Sequence, residues 1–308
     1  MTRPIRFGHQ ARPTPDDDLD GVARRAEAAG FDVFLIADHV GHGPAPMVAL
    51  AAAASVTTTI RLGTYVLNAD MRNPVQLAWE ATTLDQLSNG RFELGLGAGH
   101  TPQEWAATGI EFTSARARKA ALAERIEIIG RLLDGDSVSV DGAYHRLVDA
   151  SVPRSHQSRL PILVGGNGAA LLGHAGSHAD IIGLQGLGRT LADGHEHSVR
   201  WTTDHLDAQL GQVRAGAGER IADIEVNVLV QVVDITADAE RSLAQVAEMI
   251  DDGTTTTDLA RIPYVLIGTV DEIAEKVLHC RDHWGITYFA VRALDDFAPV
   301  IDRVRQLE

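Results

Sequence analysis

The chain has 308 residues, 45% hydrophobic and 22% charged, the composition of a soluble globule with one large apolar core. A formal charge of −15, with the basic residues scattered, argues against nucleic acid or a membrane surface as a partner. Cys280 is the single cysteine, which excludes an internal disulfide and any thiolate-clustered metal or iron–sulfur centre.

No run approaches the roughly 18 uncharged apolar residues of a membrane span, and no signal peptide is visible at the start, so a cytoplasmic protein is expected. Strand-like and helix-like runs then alternate along the chain. The first strand candidate, Ile5–Gly8, ends at His9 and Gln10, and a helix with Leu19, Val22, Ala23 and Ala26 on one face stops at Gly30. The second, Val33–Ala37, ends abruptly in Asp38 and His39. The third, Ile60–Val66, leads through Asn68 to Arg72 into a helix over 74–87, whose start carries an Asn73 cap and Pro74 at the first helical position.

The fourth strand candidate, Phe92–Leu96, opens into Gly97-Ala98-Gly99-His100, and a long helix over 116–133 and a small hairpin over 136–147 follow. The fifth, Pro161–Val164, runs into Gly165-Gly166-Asn167-Gly168 and directly onto a helix over 169–175. The sixth is Asp180–Gly183, the seventh Val226–Val233 and the eighth Thr287–Val291, with a helix over 271–284 capped by Thr269 and Asp271 before it. Eight strands with helices between them predict a single-domain closed parallel (β/α)8 TIM barrel over 1–308, with insertions after strands four and six and near strand seven. An open doubly wound sheet is the competitor, and it wants a Gly-x-Gly-x-x-Gly turn after its first strand, which Phe7-Gly8-His9-Gln10 does not supply. The glycine-rich stretch over 184–194 is expected to form a mobile lid.

Barrel enzymes place their chemistry at the carboxyl ends of the strands. That rule gathers His9, Gln10, Asp38, His39, Asn68 to Arg72, Gly97 to His100, Gly165 to Gly168 and Arg292 at one mouth. His39 could be a structural histidine held by Asp38, but its place at a strand end after an apolar run favours proton transfer, for which imidazole suits neutral pH. The two glycine loops each open a strand-to-helix turn, and free N–H groups at a helix start bind an anion without any lysine, so a phosphate-bearing cofactor is expected. A metal-dependent hydrolase is the rival, but strand one lacks His-x-His and no carboxylate ends strand eight; no metal is expected, and His195-Glu196-His197 reads as solvated surface.

The ordered set Phe31–His39, Leu62–Val66, Arg72-Asn73-Pro74, Leu84–Gly99, Gly142-x-Tyr144-His145, Pro161–Gly168 and Gly268–Glu272 resembles the luciferase-like monooxygenase superfamily. Within it, the first half is similar to the F420-dependent glucose-6-phosphate dehydrogenase branch. The resemblance implies a non-proline cis peptide at Tyr65-Val66 backing a deazaflavin ring, and Asp38 and His39 beside the reactive carbon. It further implies that Gly97, Ala98, Gly99, His100, Gly165, Gly166, Asn167 and Gly168 hold the ribityl-phosphate. An F420-dependent oxidoreductase acting on a small, neutral organic molecule is therefore expected, with His39 as acid/base oriented by Asp38, and a homodimer from the resemblance alone. An FMN-dependent monooxygenase on the same fold is the alternative, and a non-catalytic flavin-binding barrel a second. Two features depart from the sugar-phosphate enzymes: His100 stands where they carry an acid, and Lys119 and Lys276, the only lysines, both fall in helices.

Overall fold

The computed structural model describes residues 3–14, 17–190, 197–250 and 253–308. Eight parallel strands form the barrel: β1 (Arg6–Ala11), β2 (Val33–Ile36), β3 (Arg61–Thr64), β4 (Phe92–Gly97), β5 (Ile162–Gly165), β6 (Ile181–Leu184), β7 (Glu225–Leu229) and β8 (Ile286–Val291). They pair in chain order, and β8 closes on β1 with Arg6 opposite Tyr288 and Phe7 opposite Phe289. Seven of the eight strand positions predicted from the sequence hold to within three residues.

The period-2 alternation of a strand sends successive side chains to opposite faces. Val33, Leu35, Tyr65, Leu163, Ile181, Leu229, Tyr288 and Ala290 fill the barrel interior, while a larger apolar layer packs the strands against the surrounding helices. The helix Pro74–Leu87 begins as the sequence predicts: Asn73 accepts from the N–H groups of Val75 and Gln76, and Pro74 takes the first position. The helix Val270–Trp284 carries a reciprocal capping box between Thr269 and Glu272 and ends at Gly285 with φ of 74°. Cys280 is buried on that helix, the packing role expected of it.

The insertions take definite forms. After β4 come the helices Pro102–Thr108 and Ala115–Leu133 and then an antiparallel hairpin of Val138–Asp141 with Arg146–Ala150. After β6, Leu187–Thr190 pairs antiparallel with His197–Val199, so the expected lid is the base of a hairpin; residues 191–194, with His195 and Glu196, lie outside the described residues. The seventh strand corrects the sequence reading. Only Glu225–Leu229 belongs to the barrel, while Val232–Ile235 leaves it to pair in parallel with Val265–Gly268. A continuous apolar run cannot show where a strand changes sheets.

His9 also differs from its expected place. Its neighbour Gln10 faces the mouth, so by alternation His9 points outward, between Phe31 and Phe34 with ring centroids 5.5 and 6.2 Å away. Burial pushes its imidazole down to about 4, and its Nδ1 has no hydrogen-bond partner. The unfolded chain binds a proton near pH 6.5 that the folded chain refuses until about pH 4, so stability is lost as pH falls through that window. His9→Phe is expected to flatten the decline between pH 6.5 and 4 by about 1–3 kcal/mol, read from urea melts at a series of pH values. Equal slopes in both proteins would show that His9 is charged in the folded state.

Candidate active site

The carboxyl ends of the strands surround a cavity of about 1250 Å³, larger than one drug-sized ligand needs. Tyr65 and Val66, at the end of β3, are joined by a cis peptide bond, as the resemblance implies. The Tyr65 hydroxyl lies 2.5 Å from Asn227 Oδ1, and Val66 projects over the glycines of the neighbouring strands. A Cβ on Gly97 would stand 2.6 Å from Val66 Cγ2, and one on Gly165 would stand 3.1 Å from Val66 Cγ1. These glycines make room for the bulge. Gly99, at φ of 65°, admits no side chain either, because Asn68 and Trp105 crowd it.

Asp38 and His39 leave the end of β2 in different directions. Asp38 is buried; its carboxylate takes both Nη atoms of Arg72, at 2.5 and 3.0 Å, and the backbone N–H of Asn68 at 2.8 Å. It therefore fastens the segment after β3 and does not orient His39, and Arg72 is spent on it rather than facing a ligand. His39 is oriented instead by Glu104, whose Oε1 lies 2.8 Å from Nδ1. A carboxylate only accepts, so Nδ1 carries the hydrogen and Nε2 is left to a ligand. The His39 side chain is 47% exposed to the cavity, while that of Glu104 is only 6% exposed. Glu104 was missed in the sequence because it sits in the seven-residue helix Pro102–Thr108, away from any strand end.

The His100 ring stands edge-on to His39 at 6.0 Å and to His197 at 4.5 Å, so the hairpin after β6 reaches the proton-bearing side of the mouth. On the opposite side, Arg292 donates to Gln10 at 2.9 Å and to Gln231 at 3.3 Å. Burial, with Arg12 nearby, lowers it to about 10, so it stays charged at neutral pH. The cavity is also lined by Arg12, Arg118 and Lys119, cations that the strand-end rule does not place there. Arg118 lies over the Phe112 ring at 3.9 Å.

Lys119 changes the expected phosphate site most. From the helix Ala115–Leu133 its Nζ reaches the Asn167 carbonyl at 2.9 Å and the Asn167 side-chain oxygen at 3.2 Å. Asn167 in turn donates to the Leu187 carbonyl at 3.0 Å. Gly168, at φ of 91°, ends the loop, and the helix Ala169–His178 starts with no side-chain cap, so its first N–H groups stay open. The cradle thus combines helix-start N–H groups with one ammonium, not backbone alone. Gly166 has its own constraint: a Cβ there would meet Leu171 at 2.5 Å, so a carboxylate at this position would disturb packing as well as charge. Gly97, Ala98, Gly99, His100, Gly165, Gly166 and Asn167 all line the cavity.

Residues 4–288 match the sequence model of the luciferase-like monooxygenase family. The chain belongs to that family. An F420-dependent glucose-6-phosphate dehydrogenase of Beutenbergia cavernae is 32% identical over 239 residues, 74% of this chain and 68% of that one. A protein of the same description from Amycolatopsis mediterranei is 34% identical over 171 residues, 53% of this chain and 51% of that one. The chain thus matches only about half the length of that second relative. In fold, it is similar to the coenzyme F420-dependent tetrahydromethanopterin reductase of Methanopyrus kandleri, with a TM-score of 0.73, 21% identity and 97% of each chain covered.

Lys119→Met is expected to leave the far-ultraviolet spectrum unchanged and to weaken binding of a phosphate-bearing cofactor by at least about 10-fold, the loss of one charge-assisted contact. Fluorescence titration reads this directly. An unaltered affinity would place the phosphate elsewhere.

Proposed function

We propose that this chain is an oxidoreductase exchanging hydride between F420 and a small organic substrate. The carrying observation is the cradle of Lys119, Asn167 and an uncapped helix start, at one side of a cavity backed by the Tyr65-Val66 bulge and bounded by His39. That combination fits a ring system with a phosphate tail. The F420-dependent relatives at 30–34% identity favour F420 over FMN, which the fold resemblance equally allows.

F420, when bound, supplies the hydride chemistry. Gly165, Gly166, Asn167 and Lys119 would hold its phosphate, Gly97 to His100 would follow the chain leading to it, and Val66 would press the ring. His39 holds or releases a proton at Nε2, and Glu104 fixes the tautomer from behind through Nδ1. Asp38 acts one step away by holding Asn68 and Arg72, which keep the bulge segment in place. Arg292, braced by Gln10 and Gln231, can take one carbonyl or carboxylate oxygen of the substrate. Lys119 is committed to the cradle and Arg72 to Asp38, which favours a neutral carbonyl compound, while Arg12 and Arg118, also on the cavity wall, are the cations left to an anionic group.

The cellular setting follows the same reading. Among the described residues no helix is long and apolar enough to cross a membrane, and a cytoplasmic setting is part of the proposal. A homodimer is supported by the exposed Val48, Trp79 and Leu87 on the helices Pro46–Val56 and Pro74–Leu87.

Side-by-side titration of the purified protein is expected to give low-micromolar or tighter F420 binding and distinctly weaker FMN binding. FMN bound as tightly would move the assignment to a monooxygenase. His39→Ala is expected to cut single-turnover rate by roughly 10²–10⁴-fold with F420 affinity within a few-fold, and Glu104→Gln to lower it less. A cofactor-loaded His39→Ala protein with near-normal hydride transfer would remove His39 from the mechanism, and rate loss matched by equal loss of affinity would make it structural.

A further inference from the structure

A second cluster of ligating side chains lies on the barrel's outer wall. His174 and His178 stand four residues apart on the helix Ala169–His178, so both imidazoles leave the same face. Their rings stack with centroids 4.2 Å apart and planes inclined by 22°. Glu127, from the adjoining helix Ala115–Leu133, faces both: its Oε1 is 3.7 Å from His174 Nε2 and 3.9 Å from His178 Nε2. One ligand atom from each of the three residues falls within 4.8 Å of the other two.

The hydrogen bonds partly set the tautomers. His178 Nδ1 donates to the His174 carbonyl at 3.0 Å, which leaves the Nε2 lone pair turned toward Glu127. A metal-bound histidine is commonly held this way by a backbone carbonyl behind it. His174 Nε2 contacts the Ala123 carbonyl at 3.1 Å, so an ion must replace that bond and release or move its proton.

We propose that Glu127, His174 and His178 bind a divalent transition ion of the zinc class, with water completing the coordination on the exposed side. Donors about 2.0–2.2 Å from a tetrahedral ion lie roughly 3.4 Å apart, so the Glu127 contacts at 3.7 and 3.9 Å close by about 0.5 Å or less, and the remaining pair, within 4.8 Å, by at most about 1.4 Å. Two imidazoles and one carboxylate do not suit magnesium or calcium, which take oxygen ligands. The ion would tie together the two helices that carry Lys119 and the uncapped start at Gly168. The site stands independently of the proposed redox activity.

Calorimetric titration of the tag-free, chelator-treated protein with Zn(II) tests this. One ion per chain is expected at micromolar Kd, with a melting temperature raised by about 2–4 °C at tenfold excess over Kd. His178→Ala, His178→Gln and Glu127→Ala are each expected to weaken binding at least 10-fold. His283→Ala is the control, because His279 and His283 also stack, at 5.5 Å, on the helix Val270–Trp284. Zn(II) bound no tighter by the native chain than by folded His178 variants, or a tight site lost in His283→Ala, would overturn the proposal.

Discussion

The close passage of the Tyr65-Val66 bulge over two neighbouring strands governs the shape of the mouth. A Cβ on Gly95 would lie 1.9 Å from the Thr64 carbonyl oxygen, too close for any side chain to exist there. Gly97 is constrained by Val66 itself, and Gly165 less tightly. Thr64 completes the junction: its hydroxyl bonds to both the carbonyl and the N–H of Gly95, at 2.9 and 2.8 Å. The strand ends therefore expose bare backbone on the side where a flat ring with a phosphate tail would lie. One packing requirement thus accounts for Gly95, Gly97 and Gly165, while Gly99, Gly166 and Gly168 answer to other neighbours or to backbone conformation.

The opposite end of the barrel shows how charge is kept out of the chemistry. Arg6 bridges Glu93 at 2.7 Å and Glu225 at 2.5 Å, and Arg61 also reaches Glu93. Burial pushes Glu93 up, but Arg6 and Arg61 outweigh it and hold the carboxyl below its usual range. The Arg6 guanidinium also lies 4.4 Å over the Tyr288 ring, so the charged network meets the apolar interior through a cation–π contact. Removing one partner from such a buried set typically costs about 3–5 kcal/mol, because the other charge is left unpaired. The network makes the amino-terminal end a fixed, neutralised base.

Legibility from sequence follows the range of the interaction. Strand positions and the Asn73 and Thr269 caps depend on neighbours a few residues away, and the sequence shows them; the glycine loops are legible by residue type although the contacts that require them are distant. The mouth residues that matter by strand-end position, Gln10, Asp38, His39 and Arg292, are legible for the same reason. Glu104, Lys119 and the outward turn of His9 are not. Glu104 meets a partner 65 positions away and Lys119 one 48 positions away, both from helices that carry no sign of facing the mouth. His9 fails for another reason: an apolar strand end alternates faces, and one residue decides which side a ring takes. The same blindness hides the exit of Val232–Ile235 from the barrel.

Two carboxylates near one histidine could have shared a task, and the structure divides it. Asp38 makes three charge-assisted bonds to Arg72 and to the Asn68 N–H, all within the segment that follows β3. Glu104 makes its bond to His39 from a separate helix that also carries Trp105, packed against the glycine turn at Gly99. The position of the imidazole therefore depends on the helix Pro102–Thr108, and the position of the bulge on Asp38. The two elements are joined: Trp105 Nε1 donates to Asp70 Oδ2 at 3.4 Å, so the helix that orients the imidazole also rests on the segment that Asp38 holds. Asp38 and His39 are adjacent in the chain but take different partners, so their adjacency in sequence is no guide to a shared role.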